Sequence, residues 1–123
     1  MKLFEALPLL QGVFDPANFV QCGEEPFAAW KMLKPYIKYL HIKDALSDGS
    51  VVPAGKGAGR LAEIVKEYLA FGGTVVTMEP HLAVFDGFAE LEQSGSTSEV
   101  GGYRFADNNT AFDAACEAFK NLL

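Results

Sequence analysis

Residues 39–45 read YLHIKDA, from Tyr39 to Ala45, an apolar run of β-formers that carries a histidine, a lysine and an aspartate at its end. Side chains alternate across a strand, so His41 and Lys43 share one side while Leu40 and Ile42 share the other, where covering helices can bury them. The pattern recurs on both flanks. GVFD, 12–15, ends in Asp15, and GTVVTME, 73–79, places Val75 and Val76 between a glycine turn and Pro80 and ends in Glu79.

Helical segments separate these strands. Between Glu25 and Leu33, the residues Phe27, Trp30 and Leu33 fall on one stripe, and Pro35 stops the run. Leu61, Ile64, Val65, Tyr68 and Leu69 repeat at helical spacing until Gly72 and Gly73. A short helical piece is expected over 84–92. A last helix capped by Asn109 or Thr110 carries Phe112, Ala115, Phe119 and Leu122. DPANF, from Asp15 on, reads as a turn, and 45–59 and 93–109 read as loops. Strands alternating with helices imply the α/β class, with parallel strands joined by helical crossovers.

Half of the 123 residues are hydrophobic and 21% are charged, the profile of one folded domain with little apolar area to spare. The net charge of −6 and the absence of a basic cluster argue against nucleic acid and anionic membrane as partners. Cys22 and Cys116 lack any disulfide or metal spacing, which points to reduced thiols and the cytoplasm. MKLFEALPLLQ, broken by Glu5 and Pro8, fails as a signal peptide, and no apolar run reaches the length of a membrane span.

Asp15, His41 and Glu79 thus stand at the carboxyl ends of three strands expected to be parallel, where α/β architectures place their sites. Their oxygen and nitrogen donors suit a divalent ion such as Mn, Mg, Co or Zn. Each also has an ordinary structural role open to it. Asp15 can cap the turn before Pro16, Glu79 can sit in a solvated loop, and His41 can be a hydrogen-bonded core residue.

GVFDPANFVQCGEEPFAAW, YLHIKDA, VVPAGKGAGR and VVTMEPHL, in this order and spacing, resemble the C-terminal part of the sugar phosphate isomerase/epimerase family, the xylose-isomerase-like TIM barrels. The resemblance spans about residues 10–82. It implies a partial TIM barrel, about three C-terminal βα units with parallel strands and a C-terminal helix. The chain would be a single incomplete domain, 1–123, with 1–10 the remnant of a preceding helix. It further implies that Asp15, His41 and Glu79 hold one divalent metal ion, that Asn18 touches substrate or metal water, and that Glu79 is one of two glutamates moving a proton next to a carbonyl. The implied activity is isomerisation or epimerisation of a sugar or sugar phosphate. With only Glu5 before Asp15, the second glutamate has no counterpart here, so the isolated chain is expected to be inactive and to represent a fragment.

Lys43, on the side of His41, is a candidate for a substrate oxygen or for an ion pair with a nearby acid, and His81 is a candidate for the mouth of the site. The glycines of GKGAGR, 55–60, suggest anion contact through Lys56 or Arg60, or an ordinary mobile loop. A DNA-repair endonuclease of the same superfamily would need more histidines and a basic groove. The rival reading is a non-catalytic interaction module or split-barrel half. On either reading, open strand edges lead us to expect a homo-oligomer or a complementary N-terminal half.

Overall fold

The computed structural model describes residues 2–82 and 102–123. The helical piece expected over 84–92, and most of the loop expected over 93–109, lie outside the described residues. Three parallel strands form the sheet in the order β1 (Gly12–Phe14), β2 (Ile37–Ile42), β5 (Val76–Met78). Between them lie α2 (Pro16–Gln21), α3 (Pro26–Leu33), a two-stranded ribbon of β3 (Asp44–Ala45) with β4 (Val51–Val52), and α4 (Leu61–Ala70). The short α1 (Lys2–Ala6) precedes β1, and α5 (Asn108–Lys120) follows the described strands. The class is therefore mixed α/β, with a parallel sheet and a C-terminal helix. Among the described residues, no helix is long and apolar enough to cross a membrane.

Strand alternation decides what is buried. Phe14 aligns with Leu40, Leu40 with Val76 and Ile42 with Met78, and this face lies under Trp30 of α3 and Leu61, Ile64, Val65 and Tyr68 of α4. The opposite face carries Val13 against Tyr39 and His41 against Thr77, with Val13 and Thr77 exposed. Among the described residues, helices thus cover one face. The Tyr68 hydroxyl bolts α4 to β5: it accepts from the Val75 amide at 3.1 Å and donates to the Val75 carbonyl at 2.8 Å.

Four local readings need correction. DPANF is not a bare turn, because Asp15 caps a real helix, α2, whose first residue is Pro16; proline suits that position since its missing N–H has no intrahelical acceptor there. The stretch 45–59 is not simply a loop, since Asp44 and Ala45 pair antiparallel with Val52 and Val51. The C-terminal helix is capped by Asp107, whose carboxylate accepts from the Thr110 amide at 2.7 Å, rather than by Asn109 or Thr110. Its buried residues are Ala111 and Ala115, and Phe112 is exposed, as is Leu69 of α4.

Candidate metal centre

The site is built from the three strand ends. Asp15 follows β1 directly, and its role as helix cap pins the carboxylate: Oδ1 accepts from the amides of Ala17 at 2.9 Å and Asn18 at 3.3 Å. Both lone pairs of Oδ1 are thereby engaged. Oδ2 is buried, stands 3.0 Å from the Lys43 ammonium, and lacks any partner in hydrogen-bond geometry. His41 is the penultimate residue of β2, and Glu79 follows β5, its amide donating to the Ile42 carbonyl at 3.3 Å. That bond extends the ladder by one residue and holds the Glu79 backbone beside β2.

The three side chains converge. One ligand atom from each of Asp15, His41 and Glu79 lies within 4.8 Å of the other two. Donors sharing one ion at about 2.1 Å stand at most about 4.2 Å apart, so small side-chain adjustments suffice to close the set. His41 Nδ1 contacts Glu79 Oε2 directly, and His81 Nε2 lies 3.2 Å from Glu79 Oε1. Side-chain exposure rises from 6% for Asp15 through 28% for His41 to 41% for Glu79, so the cluster has a dry end and a wet mouth. His81 reaches Glu79 with φ of 46°, a left-handed conformation uncommon for a residue other than glycine.

Lys43 belongs to the cluster. Its ammonium donates to Asn18 Oδ1 at 2.8 Å in addition to its ion pair with Asp15, and its side chain is 9% exposed. Asn18, Lys43 and His81 therefore all stand beside the three candidate ligands. Lys56 and Arg60 do not join them. Arg60 is engaged at the start of α4 with Glu63 at 2.8 Å and Glu25 at 3.6 Å, and Lys56 is exposed. Neither makes a hydrogen bond or ion pair with the cluster.

The glycine loop has a different task, one not foreseen from the sequence. Asp44, almost fully buried, accepts from the amides of Gly55 and Gly57 through Oδ2 and of Gly59 and Ala45 through Oδ1, all between 2.9 and 3.0 Å. Those glycine amides point inward at a carboxylate and so are committed before any external anion arrives. Burial pushes the Asp44 carboxyl above its ordinary range, while the amides of Gly57, Gly59, Ala45 and Gly55 pull it back. Any side chain on Gly57 or Gly59 would collide with Asp44, and on Gly57 with the Ala45 carbonyl as well. The available signal was the run of glycines at 55, 57 and 59 in the loop that follows Asp44, since glycine lets the backbone approach a buried group closely. The loop ends one residue before α4 and packs beside Pro16, so Asp44 helps to frame the site from outside it.

Comparison with protein-family models, curated proteins and solved structures finds no match for this chain.

Proposed function

We propose that the chain is the C-terminal portion of a divalent-metal-dependent sugar or sugar-phosphate isomerase/epimerase, its three parallel strands a segment of a TIM barrel. The observation that carries this reading is the convergence of Asp15, His41 and Glu79 donor atoms within 4.8 Å at the carboxyl ends of adjacent parallel strands. Asp15 Oδ2 is buried and already faces a cation, the Lys43 ammonium at 3.0 Å, as an oxygen at a cation site would. Asp15, His41 and Glu79 would hold the ion, which supplies Lewis-acid polarisation of a carbonyl and its neighbouring hydroxyl. Glu79, at the wet mouth, is the carboxylate placed to take and return a proton on the adjacent carbon. His81 holds the other Glu79 oxygen, and Asn18 and Lys43 offer polar groups to substrate oxygens beside the buried end.

Calorimetric titration with manganese tests the site. Binding should be weak, because three protein ligands leave several positions to water, and His41→Ala should reduce it at least about tenfold. Tight binding indifferent to His41→Ala would sink the assignment.

The second reading, a module that works by association, is favoured by the open sheet. Among the described strands, β1 and β5 each pair only with β2, and Val13 and Val75 are exposed beside those edges. Unpaired edge amides and carbonyls seek a strand partner. We expect self-association edge to edge, or pairing with a complementary N-terminal half. Sedimentation velocity at micromolar protein decides: a cooperatively folded monomer refutes it.

A further inference from the structure

We propose that Lys43 is a built-in competitor for the metal: its ammonium holds the one Asp15 oxygen that an ion can use, and so sets how tightly the site binds divalent cations. The inference rests on the metal-binding reading above and concerns the control of that site.

Asp15 has a single oxygen to offer. Oδ1 is consumed by the amides of Ala17 and Asn18, and those bonds belong to the cap of α2, so freeing Oδ1 would expose the start of a helix. Oδ2 is therefore the route to Asp15, and the Lys43 ammonium stands 3.0 Å from it. A buried ammonium is costly unless paired, as is a buried carboxylate, so the pair stabilises the metal-free state by satisfying both charges. Oδ2 is one of two oxygens beside the ammonium, and the more distant one, at 3.0 Å. The firmer partner of Lys43 is Asn18 Oδ1, at 2.8 Å. That second acceptor gives the ammonium a place to remain when a cation takes Oδ2, without its leaving for solvent.

Lys43 lies one residue beyond β2, two residues after His41, and its ammonium stands at the same Asp15 carboxylate, so its charge lies beside any ion held there. Two cations beside one carboxylate oxygen repel in a poorly screened setting, where a few ångströms of separation still carry a substantial energy. Wild-type affinity is thus held down, and ions that draw little from His41 and Glu79 are excluded.

The test is manganese calorimetry on wild type, Lys43→Met, Lys43→Gln and Lys43→Arg, each alone and with His41→Ala, together with thermal melting of every variant with and without the ion. Removing the charge should tighten binding by roughly tenfold or more in both neutral variants. Lys43→Arg should stay near wild type. The neutral variants should melt lower than wild type without metal and recover with saturating manganese. Lys43→Gln keeps a polar group of similar reach should Lys43→Met fail to fold. A structural ion pair with no bearing on the metal predicts the opposite, equal or weaker binding in the neutral variants. If wild type binds through His41 and the neutral variants bind no tighter, the competition is refuted while the metal reading stands. If only the neutral variants bind, through His41, both stand. If none binds, the metal reading fails and takes this inference with it.

Discussion

Asp44→Ala is expected to lower the unfolding free energy by about 3 kcal/mol, because it removes the shared acceptor of the inward-pointing glycine amides. Water can reach some of the vacated donors, though not easily the amide of Gly59, which is buried. Asp44→Asn should recover only part of the loss, since its carboxamide replaces one acceptor oxygen by a donor group that meets N–H groups head on. Denaturant unfolding gives the free energy, and amide hydrogen exchange gives the location: protection at Gly55, Gly57 and Gly59 should fall most. A loss under about 1 kcal/mol, or exchange unchanged in this loop, would show that the loop is held by something other than Asp44.

Trp30→Ala should cost about 3–5 kcal/mol, a large fraction of the stability of a domain this small. The side chain is fully buried, edge-on to Phe14 at 5.4 Å and to Tyr68 at 6.2 Å between ring centroids, and its Nε1 donates to Glu67 at 3.0 Å. It therefore joins α3 to the sheet and to α4 at once, and its loss opens a gap where the three meet. Trp30→Phe keeps an aromatic edge but drops the hydrogen bond, and should fall between wild type and alanine. Because Trp30 is the sole tryptophan, the alanine series is followed by far-ultraviolet circular dichroism instead of fluorescence. Stability within about 1 kcal/mol of wild type in Trp30→Ala would mean that the core collapses around the gap.

How far residue patterns alone reach is clear from β2 and its flanks. The alternation of Leu40 and Ile42 with His41 and Lys43 determined which face would be covered, because period-two geometry leaves no third choice, and the structure buries Leu40 and Ile42 accordingly. The stripe of Leu61, Ile64, Val65 and Tyr68 was legible for the same kind of reason, at the helical period. Asp15, His41 and Glu79 could be named because each stands at the end of a β-rich run, and parallel strands bring such ends together. Short-range order with competing local uses was not legible. Asp15 before Pro16 reads equally as a turn or as a helix cap, and only the amides folding back onto Oδ1 decide between them. The ribbon of β3 and β4 is two residues long on each side, too short for any periodicity to register.

The long-range partnerships of the charged side chains were decided by tertiary structure. Lys43 and Asp15 are far apart in sequence and meet because β1 and β2 lie side by side; Arg60, paired locally with Glu63 three residues on, also reaches Glu25 because α4 starts beside α3. Asp44 shows the difference most plainly. In sequence it is one more acid at a strand end, yet burial makes its unpaired charge unfavourable, and three glycine amides of the loop that follows close around it. A pattern of hydrophobic and polar residues specifies which surfaces must be dry; which donor meets which acceptor inside them depends on distances that exist only once the chain has closed.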